Sequence, residues 1–280
     1  MIFSVHRETR KGGRRDNQDR VGYAYTQKAV LLVACDGMGG HLYGEIAAQY
    51  VMEYLAKAFR SCACPAIRDP KLFLAGALQG AHESVTAYAK IANLKEVPRT
   101  TCVTCIIQNG KVWGANVGDS RFYHLRDGSP LFRSKDQSYV QMLVEKGKIT
   151  EDEALVHPER HKIYSCIGQE AKPKIQAFGP FKAAEDDTLL LATDGFWGPL
   201  PDSLIGSMFL GSQVSIAVPM LSNVSEAITG GASDNISAVA LRIHSWSDQL
   251  SEVASPLRDS ALVEDVHLEA ALESLRLSIK

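Results

Sequence analysis

The sequence predicts an α+β fold of four layers (αββα), two antiparallel β-sheets packed face to face and flanked by helices. Three observations carry this expectation. Short strand-like runs come in consecutive groups joined by Asn109-Gly110 and Asp127-Gly128, dipeptides favoured in tight hairpin turns. Segments of helical period form separate blocks instead of alternating with single strands. Each block carries an apolar stripe that a sheet or a second helix would have to bury.

In chain order, residues 2–8 and 21–26 read as strands, and 29–35, apolar throughout, as a strand buried on both faces. From Gly44 the period changes, and Ile46, Tyr50, Val51, Tyr54, Leu55, Ala58 and Phe59 fall on one helical face. A second helix starts near Pro70, with Leu74, Leu78, Ala81, Val85 and Tyr88 turned inward. Residues 101–108, 111–117 and 121–126 follow as neighbouring strands, then 137–147 as a helix. The stretch 148–176 is polar and irregular. Strands return at 188–193 and 236–243, with helical material at 202–212 and 213–229 between them. Residues 1–244 therefore form one domain. Beyond it, 245–280 is a partly helical extension, whose segment 261–280 has leucines at 262, 268, 272 and 275.

Composition narrows the class. Hydrophobic residues make up 45% and charged residues 22% of 280, as in ordinary soluble domains. A formal net charge of −2 supplies no basic field for nucleic acid or anionic lipid. The apolar runs are too short to span a bilayer, and no signal-peptide pattern opens the chain. The expected location is cytoplasmic. The six cysteines agree with a reducing compartment: Cys35, Cys102, Cys105 and Cys166 lie in apolar contexts and read as buried thiols. Cys102 and Cys105 have the spacing of a metal or redox pair, but residues three apart in a strand face opposite sides.

Chemistry is suggested by aspartates at strand termini. Asp36 ends an apolar run and precedes Gly37-Met38-Gly39-Gly40-His41. Asp194 ends another and precedes Gly195, Asp119 follows Gly118, and Asp234 stands just before a strand. Any one of them alone reads as a turn residue. Gathered at one edge of a sandwich, such carboxylates would repel by roughly 4 kcal/mol per pair at 4 Å. They would either rise in pKa or bind cations, and an all-oxygen set favours Mg²⁺ or Mn²⁺. Asp36, Asp194 and Asp234 with two divalent ions leave a small positive excess, suited to a phosphate dianion.

In order along the chain, the motifs are Arg14-Arg15-Asp16-Asn17-Gln18-Asp19, Asp36-Gly37-Met38-Gly39-Gly40-His41 with Gly44-Glu45, and Thr100-Thr101. Val117-Gly118-Asp119-Ser120-Arg121, Lys135-Asp136-Gln137-Ser138, Val144-Glu145-Lys146-Gly147 with His157-Pro158, Thr193-Asp194-Gly195 and Ser233-Asp234-Asn235 follow. This series resembles the bacterial form of the PPM, or type 2C, metal-dependent protein phosphatases, from about residue 14 to 241. The resemblance implies a catalytic domain over 1–244 with a mobile flap at about 148–169. It implies hydrolysis of phosphoserine and phosphothreonine on proteins by direct attack of a hydroxide held between two metal ions. Asp36 would bridge Mn²⁺ or Mg²⁺ ions, with the Gly37 carbonyl on one and Asp194 and Asp234 on the other. Asp119 with Asp194 would hold a weaker third ion, Asp19 would orient water, and Arg14 would grip the substrate phosphate.

The sequence departs from the family pattern at three places: Arg99 before Thr100-Thr101, Gln137 where histidine is common, and a missing arginine before Gly168. Met38 occupies the position of the histidine proposed as general acid in some animal members, so that role does not transfer. His41 could approach the site or orient the glycine turn. His157 and His161 in the flap are expected to have structural or solvent-facing roles. Glu45 either serves the first turn of its helix or holds a water. The competing reading is a non-catalytic module of the same fold that binds phosphoproteins. Expected partners are phosphorylated protein substrates, with the chain opposing a Ser/Thr kinase, no nucleic acid and no membrane, and the chain is expected to be a monomer.

Overall fold

The computed structural model describes residues 1–38, 43–246 and 251–253. The strands are β1 (Ile2–Arg10), β2 (Arg20–Tyr25), β3 (Ala29–Cys35), β4 (Cys102–Gln108), β5 (Lys111–Val117), β6 (Arg121–Arg126), β7 (Ser129–Arg133), β8 (Gln176–Lys182), β9 (Thr188–Ala192), β10 (Ile236–Ser245) and β11 (Ser251–Glu252). The helices are α1 (Gly44–Cys62), α2 (Pro70–Ile91), α3 (Tyr139–Glu145), α4 (Glu151–Leu155), α5 (Asp194–Trp197), α6 (Asp202–Phe209) and α7 (Val214–Thr229).

One sheet has the order β11-β1-β10-β9-β6-β7 and the other β2-β3-β4-β5-β8. Pairing is antiparallel except where the two-residue β11 joins β1 in parallel, so the first sheet draws a strand from beyond residue 244. The predicted sandwich is what forms. Alternation along each strand divides the core. On β3, Val30, Leu32 and Ala34 point between the sheets, where Phe3, Phe122, Leu191 and Leu241 meet them. Leu31, Val33 and Cys35 point to α1 and α2. Leu190, Ala192 and Ala238 point instead to α6 and α7. Cys102 and Cys105 fall in different core layers, which rules out a shared metal.

The second helix starts where the sequence indicates. Pro70 is its first residue, and the Asp69 side chain caps it by accepting from the Leu72 N–H at 3.0 Å. Three expectations shift. The buried face of α1 is centred on Ala47, Ala48, Val51 and Leu55, which leaves Ile46, Tyr50, Tyr54 and Ala58 half-buried at its border. Inside the supposedly irregular stretch, Thr150 and Glu153 form a capping box that starts α4. The same stretch ends in β8, a sheet edge containing Pro180. No helix among the described residues is long and apolar enough to cross a membrane. The segment 261–280 lies outside the described residues.

Between the sheet layers at the end remote from the aspartate cluster, Asp187 is fully buried and accepts from four donors. They are His124 Nε2 at 2.7 Å, Arg126 Nε at 2.7 Å, Arg126 Nη2 at 2.8 Å and the Ala184 N–H at 2.8 Å. Burial pushes its carboxyl up, but Arg126, His124 and the Ala184 amide outweigh this and bring it to about 2. Its stabilising contribution is thus complete above the unfolded carboxylate range and is lost as pH falls towards 2. Asp187→Ala leaves the buried His124 unpaired and frees the partly exposed Arg126, and is expected to cost about 2–3 kcal/mol in urea melts at neutral pH. A cost below about 1 kcal/mol would show that the cluster contributes little to folding.

Candidate metal centre

Strand register brings the aspartates to one end of the sandwich. Arg20 at the start of β2 pairs with Cys35 at the end of β3, which sets Asp19 beside Asp36. Cys102 pairs with Val117, so the end of β5 and the Gly118-Asp119 loop reach the same edge. In the other sheet Ala192 pairs with both Arg121 and Ala238, which brings the end of β9 next to the start of β10. Asp194 and Asp234 project from those two positions. Residues separated by up to 215 positions in sequence therefore share one site because the strands run antiparallel.

Short polar contacts then fix each loop. The Asp36 carbonyl accepts from the Thr101 N–H at 2.9 Å and from Thr100 Oγ1 at 2.8 Å, and the Asp36 N–H donates to Thr101 Oγ1 at 3.2 Å. Thr101 Oγ1 lies 2.7 Å from Ser120 Oγ, linking Asp36 to the Asp119 loop. The Gly37 N–H donates to the Gln18 carbonyl at 3.2 Å, and a Cβ at Gly37 would collide with Gln18 and Gly44. A Cβ at Gly195 would collide with the Asn235 carbonyl and crowd Asp234, so only glycine lets the Asp194 turn sit against Asp234. Thr193 Oγ1 donates to Asp19 Oδ2 at 2.8 Å.

Asn235 had no assigned role, yet it pins the whole Arg14–Asp19 motif. Its amide donates to the carbonyls of Lys11 at 2.8 Å and Asp16 at 2.9 Å, and its oxygen accepts from the Gln18 N–H at 2.9 Å. Gln137, the departure from the common histidine, is buried. It accepts from the Gly118 N–H at 3.0 Å and donates to the Lys174 carbonyl at 2.7 Å, bracing the Asp119 loop. Nothing local in the sequence marks these pairings; only their membership in the ordered motifs does.

The electrostatics are those of a cation site. Burial pushes the Asp36 carboxyl well above the usual range, and Asp19, Asp194, Asp119 and Asp234 push it further. Burial does the same to Asp119, followed by Asp194 and Asp136, against the pull of its own amide and Arg121. Asp19 rises to about 7, through burial and then Asp194 and Asp234, in spite of the Ser237 and Thr193 hydroxyls. Asp19 Oδ1 and Asp194 Oδ1 are buried with no hydrogen-bond donor. Unpartnered buried carboxylate oxygens among like charges fit hard divalent cations. Among the described residues, no three His, Cys or acidic side chains already close around an ion position. Asp234 Oδ2 is paired with Arg14 Nη2 at 2.7 Å, and Asp234 Oδ1 accepts from the Asn235 N–H at 2.8 Å.

Of the residues expected here, Arg14, Asp19, Asp36, Gly37, Asp119, Asp194 and Asp234 all lie at this end of the sandwich. His41 lies outside the described residues. His161 is solvent-exposed as expected, but the flap also brings its Nδ1 to 3.9 Å from Asp194 Oδ2. His157 has a structural role, with Nδ1 accepting from the Glu159 N–H at 3.1 Å. Glu45 sits in the first turn of α1, 3.8 Å from Arg20.

Residues 9–228 match the family described as protein phosphatase 2C. The chain is 28% identical to the serine/threonine phosphatase stp of Listeria innocua over 229 residues, 81% of this chain and 90% of that one. It is 32% identical to the serine/threonine protein phosphatase PstP of Mycobacterium tuberculosis over 227 residues, 81% of this chain and 42% of the relative. Among solved structures, serine/threonine phosphatase Stp1 from Staphylococcus aureus superposes with a TM-score of 0.78 at 27% identity, covering 88% of this chain and 96% of that one. The catalytic domain of PstP, in complex with two manganese ions, gives 0.72 at 28%, covering 87% and 99%. With the ordered motifs, the sandwich and the aspartate cluster in agreement, the chain belongs to the protein phosphatase 2C family.

Proposed function

We propose that the chain hydrolyses phosphoserine and phosphothreonine on proteins with the help of Mn²⁺ or Mg²⁺. The observation that carries this is the set of strand-terminal aspartates that repel one another and leave buried oxygens without donors. Asp36, the Gly37 carbonyl, Asp194 and Asp234 would hold two ions, and Asp119 with Asp194 a third. When bound, the ions supply positive charge for the phosphoryl group and acidify water. Asp19, which accepts from the Thr193 hydroxyl, would orient water at the cluster. Kinase-opposed phosphoproteins are the substrates we infer from the relatives' activity.

Arg14 stands on the exposed rim, and its guanidinium already holds a carboxylate oxygen. A phosphate oxygen offers the same acceptor geometry, so Arg14 would be able to give up Asp234 and hold the substrate phosphate instead. Arg14→Ala is expected to lower kcat/KM for a phosphopeptide roughly 10- to 100-fold, the size of one charged hydrogen bond, chiefly through KM. Unchanged KM in steady-state assays would remove Arg14 from the phosphate site.

The direct test is turnover of p-nitrophenyl phosphate and a phosphothreonine peptide with Mn²⁺, repeated after dialysis against EDTA. Turnover that persists without divalent ions refutes the proposal. A wild-type chain that binds the phosphopeptide but never releases phosphate supports the non-catalytic module instead.

A further inference from the structure

Arg121 and Asp136 belong to two of the sequence motifs, and neither has a part in the reading above. Arg121 Nε and Nη2 each donate to Asp136, both at 2.8 Å, and both side chains are about nine-tenths buried. Nη1 donates to Tyr123 Oη at 3.2 Å. The guanidinium also lies over the Trp197 ring, with Cζ 3.3 Å from the ring centroid. The edge of the cation is committed to Asp136 and its face to Trp197. Trp197 Nε1 is buried and has no acceptor, so the indole is placed by this stack and by its packing against the apolar layer under α6 and α7, not by a hydrogen bond of its own.

The two ends of this contact lead to two aspartates. Arg121 opens β6 two residues after Asp119. Trp197 closes α5, the single helical turn that Asp194 opens. The indole and the Asp194 carboxylate therefore hang from opposite ends of one helical turn of four residues. Buried ion pairs are often no more stable than apolar packing of the same volume. What this one supplies is a fixed distance between two loops from different sheet strands.

We propose that Arg121 is a positioning residue: through Trp197 it sets the separation of Asp119 and Asp194, and thereby the affinity of the cation site these two share. The inference rests on the metal-dependent reading above. It concerns how the chain holds the site, not which residues touch the substrate.

The test is Mn²⁺ uptake by the full chain, measured by calorimetry alongside thermal melts in EDTA. Trp197→Leu removes the aromatic face and is expected to weaken uptake at the Asp119-dependent site roughly tenfold or more, the usual cost of losing a ligand's support. Trp197→Phe keeps a smaller face and is expected to weaken it roughly two- to fivefold, so it carries the test if the leucine variant fails to fold. Uptake at the Asp36 site should change less. In an Asp119→Asn background, each substitution should weaken uptake less than it does in the parent. Either variant, folded in EDTA, with the wild-type isotherm overturns the proposal, as does an equal loss in the Asp119→Asn background. A wild-type chain that takes up no Mn²⁺ overturns the metal-dependent function itself, a result distinct from both.

Discussion

Asp36→Asn is expected to lower kcat for a phosphothreonine peptide by roughly three orders of magnitude while leaving the chain folded. The size follows from what the carboxylate does. Its strand-end position puts it beside Asp19, Asp194, Asp119 and Asp234, and after burial all four raise its pKa, which makes it the proposed shared ligand of the two ions. An amide there is neutral, so the cluster would lose one of the negative charges that would hold the ions. Several kcal/mol of transition-state stabilisation go with the ions, and each 1.36 kcal/mol is tenfold in rate.

The fold should survive because the bonds that anchor residue 36 come from its backbone. Its carbonyl and amide are held by Thr100 and Thr101, and asparagine leaves both in place. Removing a buried, repelled carboxylate should make the metal-free variant at least as stable as the parent. The prediction therefore has two readouts: loss of turnover, and a melting temperature in EDTA that does not fall. A folded variant that still turns over at more than a tenth of the parent rate would refute the bridging role. A variant that is inactive because it has unfolded would show instead that residue 36 is structural.

The parts of this molecule legible in its sequence are those whose signal is local. The fully apolar run of β3 reads by itself as a strand buried on both faces, and it is one. The leucines and alanines of α2 fixed its inward face. β7 and β8 were missed because edge strands lack two-sided burial. β7 is largely exposed with Pro130 in it, and β8 carries Gly179 and Pro180, which read as loop. β11 is two residues long, and its pairing with β1 has no sequence signature. The aspartates could be named as candidates, but their convergence depends on antiparallel register across two sheets. Only the order of motifs, through the family resemblance, pointed to it. Arg121, Asp136 and Trp197 show the same limit. Their residue types are ordinary, and the stack exists only because β6 and α5 become neighbours in the fold.

Without metal, the protein should become more stable as pH falls from about 7 towards 4, the reverse of common acid denaturation. Asp19 has its pKa near 7 in the folded chain against roughly 3.9 in the unfolded one. The folded state thus holds a proton that the unfolded state has lost throughout that window, and acidification favours it. Asp36 and Asp119 are displaced in the same direction and add to the effect. Below about pH 4 the trend must turn, because Asp187 and its bases then begin to lose their attraction. Mn²⁺ should invert the upper limb, since ions bind the deprotonated carboxylates and must displace protons as pH drops. At a thousandfold excess over Kd, ligand binding contributes about 4 kcal/mol, or roughly 8–16 °C in Tm for a domain of this size. Melts at pH 8 should therefore separate by about that much with and without Mn²⁺, and close together near pH 5. Equal Mn²⁺ stabilisation at both values, or a metal-free Tm that is flat between them, would mean that the carboxylates do not crowd one another. The cluster would then have no electrostatic reason to take up a cation.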